Sequence, residues 1–148
     1  MRVNDTQIGG EHYKTGYEHW DLVNKIPLGY LEGCSTKYVT RWRKKGHMED
    51  LQKALHYLDK LIEVATYDLY RNCTHIGDEV HRFTEANCLT DLEYRYIFLL
   101  CTYQSRYDLS NARHILQRIM EQGMTEIMKR EEINYPGTPE DGGHHAIK

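Results

Sequence analysis

From Met48 to about Asn72 the chain places Leu51, Leu55, Leu58, Ile62, Ala65 and Leu69 at alternating steps of four and three. That spacing lines up side chains along one side of an α-helix. Ala54, Tyr57, Leu61 and Val64 widen the seam to about half of the cylinder, broader than the ~100° stripe of a helix lying on one surface. Such a helix is central in its fold or meets another subunit, so the pattern predicts a homo-oligomer. Strand-type alternation is nearly absent, and only three prolines, at positions 27, 136 and 139, interrupt the helical pattern. The expected class is all-α: a bundle of about five to seven helices with a flexible N-terminal loop segment and a disordered C-terminal tail.

Local signals place the other elements. Glu18 to Ile26 reads as a short leading helix. Pro27 suits the first turn of a helix running through Leu31, Tyr38 and Trp42 to a stop at Gly46. "GDEVHRFTEAN" predicts a helix over 78–87, and in "TDLE" Thr90 and Glu93 form a capping box opening the next. Asp108 begins a helix carrying Leu109, Ala112, Leu116 and Ile119 to a stop at Gly123, with a final helix over 125–133. "NYPGTPEDGGHHAIK" has the composition of a disordered tail. The organisation expected is a helical region over 1–72, further helices over 73–133 packing on it in the same domain, and a tail over 134–148.

With 148 residues, 40% of them hydrophobic, the chain can build one ordinary core. Nineteen basic and twenty-two acidic side chains give a net charge of −3, which argues against a nucleic-acid or membrane partner for the chain as a whole. No apolar run is long enough to span a bilayer, and "MRVNDTQIGG" has no apolar signal core. A cytoplasmic protein is expected. Cys34, Cys73, Cys88 and Cys101 are too widely spaced for a C-x-x-C pair or a zinc rhythm and read as reduced, mostly buried core residues. No metal site is expected.

Chemistry concentrates in the first third. On a helix from Leu28 to Lys45, Lys37, Arg41 and Lys44 fall within a sector of about 60°, with Gly33 one turn earlier on the same side. No acidic residue occurs between Lys37 and Lys45, so Lys37, Arg41, Arg43, Lys44 and Lys45 lack a local counter-ion. The stripe can bind phosphate. A basic stretch near a helix C-terminus is also what the helix dipole favours, and spacing alone leaves both readings open. Upstream, "GGEHYKTGYEHWDLV" offers Gly9 and Gly10 for a turn whose amides face an anion, with His12, Tyr13 and Lys14 as donors and a ring. Tyr13, Tyr17 and Trp20 could stack a base, although for Trp20 stapling the following helix to the core is the better expectation. The candidate nucleotide-binding set is His12, Tyr13, Lys14, Gly33, Lys37, Arg41 and Lys44.

"GGEHYK", Trp20 with Asp21, "YLEG", "KYVTRWRKKG" and "EDLQKALHYLDKLIE" resemble, in order and spacing over residues 8–63, a small helical domain family of tailed phages linked to nucleotide-kinase-like or unknown function. One branch of that family phosphorylates deoxynucleoside monophosphates without a Walker motif. The resemblance implies nucleotide handling in the cytoplasm of an infected host, with ATP and Mg²⁺ as cofactors only if the chain is a kinase. It carries over, as pattern positions, to His12, Tyr13, Lys14, Trp20, Asp21, Tyr30, Glu32, Gly33, Lys37, Tyr38, Arg41, Arg43, Lys44, Lys45, Glu49, Asp50 and Lys53. Cys34 departs from the amide side chain that often follows the glycine.

The sequence has neither G-x-x-x-x-G-K-[ST] nor the glycine-rich loop of protein kinases. Glu18 with Asp21, or Glu49 with Asp50, could hold magnesium through water, yet the same carboxylates stabilise helix N-termini by roughly 0.3–1 kcal/mol, the better expectation for both pairs. The leading expectation is a protein binding a nucleotide or other phosphorylated small molecule, kinase-like by resemblance. The alternatives are a non-catalytic protein that sequesters a nucleotide, such as a host defence signal, and a module using its basic helix on nucleic acid or protein.

Overall fold

The computed structural model describes residues 2–6, 8, 15–67 and 73–134. Among these, a 3-10 turn Val3–Asp5 precedes six helices: α1 His19–Lys25, α2 Tyr30–Arg41, α3 His47–Val64, α4 Cys73–Ala86, α5 Asp91–Thr102 and α6 Arg106–Asn134. No described residue is in a strand, as the all-α expectation required. The tail beyond Asn134 and the loop residues 9–14 lie outside the described residues.

α3 is central. Leu51, Ala54, Leu58 and Leu61 are buried, and the helix packs against both α2 and α6. The rest of its wide apolar face is less enclosed in the subunit: Leu55, Tyr57, Ile62 and Ala65 are half-buried and Val64 is exposed. α3 ends at Val64, not near Asn72: Ala65 turns to extended backbone, and Tyr67 sets its ring edge-on to Tyr103 at 6.2 Å.

α2 begins at Tyr30 and leaves Pro27 outside its first turn. Gly29 caps it, its carbonyl accepting from Gly33 N–H. The Glu32 carboxylate lies 2.5 Å from where a Gly29 Cβ would be, so a larger residue there would have to displace a carboxylate that Tyr103 holds. Its buried face also differs from the Leu31, Tyr38, Trp42 face expected. Glu32, Ser35, Thr36 and Val39 point inward, followed by Trp42 just past the helix, while Leu31 and Tyr38 are half-buried. This polar inner face is stable because each group is paired, as burial demands. Ser35 Oγ donates to Ala54 O at 2.8 Å and therefore accepts from Tyr96 Oη at 2.5 Å. Tyr103 Oη donates to Glu32 Oε1 at 2.6 Å.

The capping box at α5 is present, Glu93 N–H donating to Thr90 Oγ1 and Thr90 N–H to Glu93 Oε2 at 2.8 Å. Glu93 also reaches across the bundle, accepting from Trp42 Nε1 at 2.8 Å and pairing with Arg43. α6 does not stop at Gly123 but continues as one helix to Asn134, absorbing the separate helix expected over 125–133. A Cβ on Gly123 would stand 3.1 Å from the Trp42 ring and 3.2 Å from Met48 Sδ. The glycine serves close packing there, not termination. Of the described cysteines only Cys101 is buried; Cys34 is half-buried and Cys88 exposed, so the core reading holds for one of them. No helix among the described residues is long and apolar enough to cross a membrane.

Candidate functional site

The 3-10 turn, α1, α2 with the turn after it, and the end of α4 surround a groove of about 750 Å³. Its lining includes Arg2, Val3, Thr15, Glu18, His19, Trp20, Lys37, Thr40, Arg41, Lys44, Lys45 and Asn87. The volume lies in the range of sites that take small molecules, roughly 300–1,000 Å³.

α1 is short and buries Leu22 completely. Trp20, two residues away, therefore falls on nearly the opposite side of the helix. It is 49% exposed and borders the groove, which overturns the expectation that it staples α1 to the core. Tyr17, the other described stacking candidate, is committed instead: its hydroxyl donates to Glu79 Oε2 at 2.8 Å and its ring meets Phe83 edge-on at 5.5 Å. Burial and the neighbouring carboxylate push the Tyr17 phenol well above its ordinary value.

The basic stripe divides in two. Arg41 borders the groove, but its Nε and Nη2 hold both Asp50 oxygens at 3.0 and 3.2 Å. Asp50 is 1% exposed and also accepts from Gly46 N–H, fixing the start of α3. Arg43 pairs with Glu93 and, at 3.6 Å, with Glu126. Five charges without a counter-ion are therefore not what the fold presents, because the counter-ions come from residues distant in sequence. Lys37 and Lys44 are exposed, border the groove and form no ion pair among the described residues. Gly33 backs onto Val23 of α1, with methyls 3.8–3.9 Å from a would-be Cβ, so α1 covers α2 at that point. His12, Tyr13 and Lys14 lie outside the described residues.

His19 and Asn87 line the groove without having been singled out in the sequence. His19 Nε2 lies 2.8 Å from Thr36 Oγ1, and its ring meets Phe83 edge-on. Burial, with a smaller contribution from the Lys37 ammonium, lowers its pKa from 6.5 to about 4 and keeps the imidazole neutral. Asn87 follows α4, where Cys88 in the left-handed region (φ 54°) and the Leu89 N–H to Thr84 O bond close the helix end. Nothing near Asn87 in the sequence connects it to a groove formed sixty residues upstream.

Three of the four carboxylates in the acidic pairs have partners within the protein. Asp50 is enclosed by Arg41 and Gly46, Glu49 points outward to Lys53 at 3.2 Å, and Asp21 accepts from Asn4 at 2.8 Å. Among the described residues no three His, Cys, Asp or Glu side chains are grouped to hold a metal ion.

Residues 8–59 match the model of a family described as a protein of unknown function, DUF3310. No curated protein and no solved structure matches the chain.

Proposed function

We propose that the groove binds a phosphorylated nucleotide, its phosphate on Lys37 and Lys44 and its base against Trp20. The observation that carries this reading is the pairing of two ammonium groups free of ion pairs with a half-exposed indole on one groove of about 750 Å³. A tryptophan face stacks any nucleobase, and charge-assisted contacts to phosphate are each worth roughly 1.5–3 kcal/mol. Arg41 contributes to the positive field of the wall while its guanidinium stays on Asp50. His12, Tyr13 and Lys14 belong to the segment that joins Ile8 to Thr15, both close to the groove, and in this reading they complete the pocket.

The resemblance to nucleotide-kinase-like phage domains extends the proposal to phosphoryl transfer, whereas sequestration requires the groove alone. Incubating the purified chain with ATP, Mg²⁺ and a panel of nucleoside monophosphates, then recovering the ligands, separates the two. New diphosphate marks a kinase. An intact nucleotide held equally well in EDTA marks a sequestering protein. If no nucleotide binds, the proposal fails.

A further inference from the structure

Two hydrogen-bond acceptors on the α1 and α4 side of the groove have no partner among the described residues. Asn87 is only 9% exposed. Its amide nitrogen donates to Tyr17 O and to Phe83 O, both at 2.9 Å. Two carbonyls facing one end of the amide demand the NH₂ there, so the orientation is fixed and both hydrogens are used. Oδ1 remains, with no hydrogen bond, yet no buried polar side-chain atom of the described residues is unsatisfied. The oxygen therefore keeps some exposed surface, on a residue that lines the groove.

The tautomer of His19 follows by the same accounting. Thr36 has one hydroxyl hydrogen, and it lies on the carbonyl of Glu32 at 2.8 Å, with Gly33 O at 3.2 Å. Nε2 of His19 must then be the donor in its 2.8 Å bond to Thr36 Oγ1, which leaves the lone pair on Nδ1. Nδ1 has no partner among the described residues either, and by the same reasoning it keeps some exposed surface on a residue that lines the groove. The two acceptors flank one residue: the His19 ring rests on Phe83, and Asn87 is bonded to the Phe83 carbonyl one turn later.

We infer that the groove selects nucleotides whose base carries an exocyclic amino group, adenine, cytosine or guanine, over hypoxanthine and uracil. This rests on the nucleotide reading above and specifies the base. An amino group presents two hydrogens and only donates in the plane of the base, which suits a wall of acceptors. A ring carbonyl in its place sets an oxygen against two lone pairs and leaves both without a donor, the situation in which a polar site discriminates most strongly. The neutral state of His19, maintained by burial and by Lys37, keeps Nδ1 an acceptor near neutral pH.

The test is isothermal titration of the full chain with AMP against IMP and CMP against UMP, pairs differing chiefly by exchange of an amino group for a carbonyl. AMP and CMP are expected to bind at least about tenfold more tightly than their partners. His19→Gln, which retains a donor toward Thr36 and displaces the acceptor, should narrow the AMP to IMP ratio. Equal affinities within each pair overturn the selection while nucleotide binding stands. Binding of none of the four overturns the nucleotide reading and this inference together.

Discussion

Arg43 and Lys44 are adjacent in the chain and occupy opposite chemical situations. Arg43 is bonded to Glu93, a carboxylate with no exposed surface that also holds Trp42 and the first turn of α5. Lys44 stands in the groove wall with no ion pair among the described residues. The region around Glu93 is a closed polar knot in which every described group has a partner; the groove wall sets paired groups such as Arg41 beside the Lys37 and Lys44 ammonium groups, which form no ion pair among the described residues. A run of positive charge thus says little about function until the positions of its counter-ions are known. Structural cations are those whose carboxylates arrive from elsewhere in the fold.

The contrast breaks most visibly at Glu93. Glu93→Ala would leave Trp42 Nε1, Arg43 and Thr90 N–H without their acceptor, and removing one member of a buried ion pair costs about 3–5 kcal/mol. Chemical denaturation should register a loss of that size; a loss under about 1 kcal/mol would mean that water replaces the carboxylate and the knot is not closed.

His19 belongs to the groove but is tied to the core through Thr36, and pH separates those roles. Its pKa is near 4 in the folded chain and 6.5 in the unfolded one, so as pH falls the unfolded chain takes up the proton first. The stability it contributes is complete above about pH 6.5 and declines toward pH 4 by up to about 3 kcal/mol. Urea melts across this range should show a steeper decline for the parent than for His19→Gln. Parallel curves would contradict a neutral buried imidazole.

Lys37→Ala and Lys44→Ala should each weaken nucleotide binding by about ten to a hundredfold. Stability should change by no more than about 0.5 kcal/mol, as is usual for exposed positions. Arg41→Ala would instead strand Asp50 and unsettle the start of α3, so its effect on affinity should be accompanied by lost stability. If all three replacements behave alike, the division between knot and groove is wrong.

The smallest effect is expected at Gly123. Alanine gains about 1 kcal/mol in helix propensity, but its methyl would press on a Trp42 ring that Glu93 holds in place, and overpacking costs typically 1–3 kcal/mol. A net destabilisation of about 1 kcal/mol in thermal melts is the expected balance. A stabilised variant would show that Trp42 yields and that the knot is looser than its bonds indicate.

The sequence carried the helical class and the α5 capping box because both are local: Thr90 and Glu93 satisfy each other within one turn. It did not carry the inner face of α2, where hydrophobic periodicity is the wrong guide: Glu32, Ser35 and Thr36 are buried by virtue of hydroxyls and a backbone carbonyl, most of them on other helices. Gly123 read as a stop because glycine commonly is one, while its actual reason, Trp42, lies far upstream. In the groove, Lys37 and Lys44 were legible as charge on one face. Trp20 was misplaced because the short α1 has one buried side only, and Asn87 gave no signal, since its position depends on how α4 is set against α1.

Four polar groups within or beside α2 obtain their partners from one stretch of chain: Ser35 from Tyr96, Trp42 and Arg43 from Glu93, and Glu32 from Tyr103. All three partners lie beyond residue 59, where the family match ends. The matched segment is consequently not a transplantable cassette. Cut away from α5, it would carry orphaned donors and acceptors in its own interior. Any other chain that contains such a segment with these residues must supply, from whatever follows or from a neighbouring subunit, a carboxylate and two hydroxyls at the same three points.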